Sequence, residues 1–356
     1  MLFLQNSETF ILSMFNNIQL PVITASLISL VISFTICFIF IKIYSNYQVT
    51  KNDQKRLNTL NIVPLGGIAM ASSFFISVRL LGEAGSDFVY ISIFALAIAV
   101  VGIADDFHNL NWKIKIIFQF IFVIVPIFFL KLFINFENIL GIDLNNNLNI
   151  IFTTFWIILL MNSINFTDNM DGFASLNSAF ICLALSFLSF IYNQNYLADI
   201  SFILMFSILG FFILNFPPAK IYMGDSGSLF IGFVLGFISI LFDWNPDGTQ
   251  VLYSSFAPVF LFFTIPVLDF FIVFNYRIKN KISPTTGGTD HISHRLLASG
   301  ISNQKVLLVF VFVNLLIFSL IASSIIFKSI SDLIILFYLI FVIFMYIKFS
   351  KMEIME

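Results

Sequence analysis

Charge is the scarcest property of this sequence: Asp, Glu, Lys and Arg make up 10% of its 356 residues, and the formal net charge is -2. A chain so poor in charge is expected to have no nucleic-acid partner. Cysteine is almost absent as well. Neither a disulfide framework nor a zinc spacing can be read from Cys37 and Cys182, which both fall inside apolar runs and read as packing residues. The first nineteen residues lack Lys and Arg and carry no small-residue cleavage site after an apolar core, so no removable signal peptide is expected there. Loops long enough for a soluble domain are missing too, and no internal repeat is evident.

What fills the chain is apolar. Hydrophobic residues make up 59% of it, and the mean hydropathy of +1.01 puts it among polytopic membrane proteins. A helix needs about 20 mainly apolar residues to cross the hydrocarbon core, and about eleven such runs recur. They lie at 20–43, 65–82, 88–104, 114–134, 149–165, 173–192, 197–216, 226–242, 251–275, 304–327 and 331–349. The expected fold is all-α, one polytopic helical bundle spanning residues 1–356 with its motifs between 62 and 302. Threaded with the N-terminus outside and the C-terminus in the cytosol, the chain leaves only Arg79, Lys131 and Lys328 of its 17 basic residues on the outer side. By the positive-inside rule the richer side is cytosolic. Four of those basic residues belong to motifs, and removing them still leaves ten against three. Asn135 to Asn149 then reads as an external loop.

With that orientation the polar clusters fall on the cytosolic face. Asp105 and Asp106 end the third span, where adjacent carboxylates repel each other and face the negative end of the helix dipole. Mg²⁺ together with Lys113 or Lys115 would compensate them, since hard oxygen ligands and substrate phosphates suit that metal. The plain alternative is an acidic stop signal, which a single charge would supply more cheaply. Asp168 and Asp171, spaced i, i+3, form a second carboxylate cluster if the segment is helical, or else cap the next helix with Gly172. Asp225, among Gly224, Ser226 and Gly227, stands at a helix start, where it can be a simple N-cap. The small residues there would also let backbone approach a phosphate. Asp290, His291, His294 and Arg295 lie in the longest cytosolic loop near Arg277, Lys279 and Lys281, a set that could hold a diphosphate. The competing reading is a basic loop with Asp290 capping a short helix. Pro64, Gly66 and Gly67 mark a bend, and Asp269, inside the ninth span, reads as structural pairing within the bundle.

Taken together these residues resemble the polyprenyl-phosphate N-acetylhexosamine-1-phosphate transferase superfamily, bacterial glycosyltransferase family 4. The resemblance runs from Gly66 to Gly300. It is carried in order by the Asp105-Asp106 pair with Lys115 and Gln119, by Asn165 to Gly172, by Gly224-Asp225, by PVLDFF with RIKNKISP, and by DHISHRLLASGIS. It implies transfer of a sugar-1-phosphate from a UDP-sugar to undecaprenyl phosphate, releasing UMP, in a bacterial inner membrane with the active site on the cytosolic face. By the resemblance Asp225 and Asp106 are metal ligands for Mg²⁺, with Mn²⁺ as an alternative. Asp105 orients the attacking phosphate, and Asp168 and Asp171 organise nucleotide and metal. Lys115 neutralises charge, while Asn165, Gly224, His291, His294, Arg295 and Lys113 contact substrate. Direct displacement is favoured, with a phosphorylated aspartate left open, and a homodimer is an open expectation.

Three positions depart from the family pattern: Ser293 interrupts a histidine run, Asn169 stands where glycine is common, and Pro64 precedes the Gly66-Gly67 pair where many members place a basic or hydroxyl residue. The DHISHRL form looks closer to the undecaprenyl-phosphate N-acetylglucosamine-1-phosphate transferase branch, which initiates O-antigen, teichoic acid or other surface glycans. The muramoyl-pentapeptide transferase of peptidoglycan synthesis is the alternative. An ion-coupled transporter is the remote one, since it would carry its carboxylates near the bilayer midplane.

Overall fold

Inside lipid every backbone N–H and C=O must be satisfied within the segment, so the apolar runs fold as helices. A computed structural model describes residues 20–44, 62–82, 85–134, 145–243 and 261–354. Its helices are α1 (Leu20–Tyr44), α2 (Gly66–Leu80), α3 (Ser86–His108), α4 (Trp112–Leu130), α5 (Asn146–Thr167), α6 (Phe173–Ile191), α7 (Asn195–Asn215), α8 (Gly224–Leu241), α9 (Thr264–Lys279), α10 (Ile292–Ala298), α11 (Asn303–Ile326) and α12 (Ser331–Ser350). No strand occurs among the described residues. The protein is a polytopic helical membrane protein.

Each of the eleven expected spans holds a helix, and nine helices among the described residues are long and apolar enough to cross a membrane. The two exceptions are α2 and α9. Helix α2 has 15 residues, about 22 Å of rise, short of a roughly 30 Å hydrocarbon core. Helix α9 begins only at Thr264 and runs past the expected boundary to Lys279. Residues 251–260 of that expected span lie outside the described residues, as do Lys51, Lys55 and Arg56, the first nineteen residues, and most of the expected loop at 135–149. Cys37 and Cys182 are buried and free, as packing residues should be.

Helix α8 is the axis of the molecule: 83% of it is buried, and it packs against α2, α3 and α5. Glycine makes that approach feasible. A Cβ on Gly67 would overlap the Gly227 amide, and one on Gly102 would overlap the Ser226 backbone, so α2 and α3 meet the start of α8 at backbone distance. The Pro64 bend serves the same contact, because the Gly66 and Gly67 amides donate to the Tyr222 and Met223 carbonyls, both at 3.0 Å. Short connections at 109–111 and 168–172 and the segment 216–223 bring the ends of α3, α5 and α7 and the starts of α4, α6 and α8 to one end of the bundle.

Candidate active site

Two polar clusters meet at that end, on either side of the last turn of α5. The first is built on Lys115, which sits one turn into α4. Its Nζ donates to Asp105 Oδ2 at 3.1 Å and also to Asp225 Oδ2. Asn165, from α5, donates to Asp225 Oδ1 at 3.0 Å and to Ser228 Oγ at 2.8 Å. Two carboxylates from α3 and α8 therefore share one cation, and Asp225 keeps 24% of its side chain exposed, enough for a ligand to reach it. The alternative of Lys113 is resolved: its ammonium lies 5.8 Å over the Trp112 ring, on the exposed side of α4.

Asp106 does something else. Its two oxygens accept from the Asp225 and Ser226 amides at 2.8 and 3.2 Å, so a carboxylate from α3 caps the start of α8. Gly224 has φ 72° and no room for a side chain, since a Cβ would lie 2.5 Å from Asp106 Oδ2 and 2.7 Å from the Pro64 carbonyl. Two expectations change here. The small residues around Asp225 admit the Asp106 carboxylate and neighbouring helices, and the Asp225 and Ser226 amides, which an anion could have met, already donate to that carboxylate.

The second cluster joins α5, α9 and α10. Asn169, just after α5, accepts a hydrogen bond from Ser293 Oγ at its side-chain oxygen, and its carbonyl accepts from His294 Nε2 at 3.1 Å. Two of the three positions that depart from the family pattern thus bond to each other. Burial holds His294 below the ordinary histidine range, with neighbouring His291 adding to the effect. Asp290 does not cap α10. It forms a two-pronged pair with Arg277, both contacts at 2.7 Å. Burial opposes ionisation of Asp290, yet that guanidinium more than offsets it and leaves the carboxyl below its usual range. The cap comes from Asp269, which sequence reading took only as a structural residue: it accepts from the Ile292 amide at 2.7 Å and from His291 Nδ1 at 2.8 Å.

Arg295, expected on a diphosphate, is turned inward. It is 1% exposed, its Nε donates to the Asp290 carbonyl at 2.8 Å, and Nη1 donates to the Met352 carbonyl at 2.9 Å beyond the end of α12. Its guanidinium carbon lies 5.4 Å over the Tyr276 ring. The residue ties α10 to α9 and the C-terminal turn. Asp171 accepts from the Ala219 amide at 3.0 Å and so holds the segment leading into α8. Asp168 stands at the C-terminal cap of α5, between the two clusters. Ser228 escaped the sequence reading because it looks like one more small residue in an apolar helix. Its only signal was the i, i+3 spacing from Asp225.

Residues 88–243 match the model of glycosyl transferase family 4. The chain is 30% identical over 290 residues to a probable undecaprenyl-phosphate N-acetylglucosaminyl 1-phosphate transferase of Bacillus subtilis (strain 168), covering 80% of this chain and 76% of that protein. It is 28% identical to the decaprenyl-phosphate N-acetylglucosaminephosphotransferase of Mycobacterium leprae, over 74% of this chain and 73% of the relative. A phospho-N-acetylmuramoyl-pentapeptide-transferase of Wolbachia is 29% identical over 61% of this chain and 69% of its own length.

Proposed function

Since the chain belongs to glycosyl transferase family 4 and is a polyprenyl-phosphate sugar-phosphate transferase, we propose that it moves an N-acetylhexosamine-1-phosphate, or a deoxy derivative, from a UDP-sugar to undecaprenyl phosphate. The products are UMP and the undecaprenyl-diphosphate sugar that begins a surface polysaccharide. The proposed setting is a bacterial inner membrane, with the site at the cytosolic surface, where a nucleotide from water and a lipid phosphate can meet.

The observation that carries this reading is the bridge of Lys115 between Asp105 and Asp225, with Asn165 holding the second oxygen of Asp225. In the proposed reaction a lipid phosphate oxygen attacks the sugar-bearing phosphorus, a new P–O bond forms there, and the anhydride bond to UMP breaks. In this reading Lys115 neutralises charge on the reacting oxygens, and Asp105, which shares its ammonium, orients the incoming phosphate. One anhydride replaces another, so no ATP is consumed. Asp105 and Asp225 already direct two hard oxygens at one cation, a donor set that suits Mg²⁺ or Mn²⁺ completed by water and phosphate. Asp106, committed to amides, is better assigned to holding α8 than to the ion. Such an ion would supply electrostatic stabilisation of the diphosphate and the departing nucleotide. Asp168 and Asp171 flank the turn between the clusters, where they can organise the nucleotide, and His291 faces it from the start of α10, whereas His294 gives Nε2 to the Asn169 carbonyl and keeps Nδ1 sealed inside the protein.

The test is UMP release by the purified protein with undecaprenyl phosphate and Mg²⁺, supplying UDP-N-acetylglucosamine, its epimers, deoxy derivatives and the muramoyl-pentapeptide nucleotide separately. Release with a simple UDP-sugar is expected. Release only with the muramoyl donor would select the peptidoglycan reaction instead.

A further inference from the structure

Asp269 is fully buried in α9, and a carboxylate inside a span is costly enough to need a reason. Both of its oxygens serve a two-residue stretch at the start of α10: Oδ1 accepts from the Ile292 amide at 2.7 Å, and Oδ2 accepts from His291 Nδ1 at 2.8 Å. Arg277, eight residues further along the chain, is committed to Asp290, so the partner of Asp269 is the histidine. Helix capping alone does not call for a carboxylate, since a neutral Asn or Ser accepts from a backbone amide equally well. Fixing a histidine tautomer does, because an ionised carboxylate can only accept and therefore puts the ring proton on the nitrogen that faces it.

The surroundings fix the ring as well. The Phe166 ring meets the imidazole edge-on with centroids 5.7 Å apart, and the His294 ring lies 6.2 Å away. His291 Nε2 has no partner among the described residues and is absent from their sealed, unbonded polar atoms. It is the nitrogen left to meet a ligand.

We infer that Asp269 is the positioning residue of the site: it fixes His291 with its proton on Nδ1 and presents the bare Nε2 as a hydrogen-bond acceptor to a hydroxyl or N–H of the nucleotide sugar. This role rests on the reaction proposed above, but the tautomer does not. In Asp269→Asn the single amide oxygen must take the Ile292 N–H, which leaves the NH₂ group facing Nδ1 and forces that nitrogen to accept. The cap survives and the tautomer reverses.

Two measurements on the full chain in detergent decide the matter. The chain has three histidines, so ¹⁵N-histidine NMR, assigned with His291→Ala, should find the Nδ1 proton in the unsubstituted protein and lose it in Asp269→Asn. UMP release should fall about tenfold to a hundredfold in kcat, with a smaller change in KM and an unchanged melting temperature. The double variant Asp269→Asn/His291→Ala should be no slower than His291→Ala alone, because Asp269 acts only through that ring. A retained Nδ1 proton in Asp269→Asn, or losses that multiply in the double variant, would overturn the inference. A parent protein that releases no UMP from any donor would overturn the proposed reaction, and the tautomer would still decide the pair.

Discussion

Asp225 accepts from Lys115 at one oxygen and from Asn165 at the other, so removing its charge while keeping its shape isolates electrostatics from packing. Asp225→Asn should lose at least a hundredfold in UMP release, the scale at which preorganised charge acts on a phosphoryl transition state. Insertion into the membrane and the melting temperature should be retained, because the amide oxygen can still accept from Asn165; activity within tenfold of the parent would sink its assignment to the ion and the reacting phosphates. The neighbouring Asp106 belongs to a different class of residue. Its carboxylate ends the α8 backbone, so its loss acts through the placement of Asp225. Identical residue types thus divide between chemistry and scaffolding according to what their oxygens face.

Helices α2, α3 and α8 can place these groups only because glycine lets them touch. Gly102→Val should wedge α3 away from Ser226, overpacking a tight contact at about 1–3 kcal/mol. The expected result is a lower melting temperature in detergent and a larger proportional loss of activity, since Asp105 and Asp106 ride on α3. Helix α10 carries a pH dependence of its own. Burial and His291 hold His294 below its ordinary value of 6.5, so the folded state keeps it neutral while the undocked chain takes up a proton. The stabilisation is therefore complete above the ordinary histidine range and is lost as pH falls below it. Asp290, held low by Arg277, keeps its pair in that window. Melting curves between pH 7.5 and 5 should show the acid-side loss, and His294→Gln should flatten it; an equal slope in the variant would place the titration elsewhere.

Because Cys37 and Cys182 are buried, introduced cysteines report the orientation of the whole bundle against a silent background. Lys281→Cys should react with an impermeant maleimide only from the cytosolic side, and Lys131→Cys only from the outer side; the reverse pattern would invert the topology. The apolar runs and the end of the bundle that gathers the carboxylates were legible in the sequence by itself. Hydropathy is a local property, and a span must be continuous along the chain to cross lipid. The ordered motifs likewise named Asp105, Lys115, Asn165 and Asp225 before any helix was placed. Tertiary structure alone decided their partners. Lys115 rather than Lys113 reaches the carboxylates, Asp106 caps α8, Asp269 meets His291, Ser293 bonds Asn169, and Arg295 turns to the end of α12. Each of these contacts joins different helices or loops, and in most the two residues stand more than twenty positions apart. Hydrogen-bond partnership depends on how the helices pack and rotate against one another, and no local pattern encodes that.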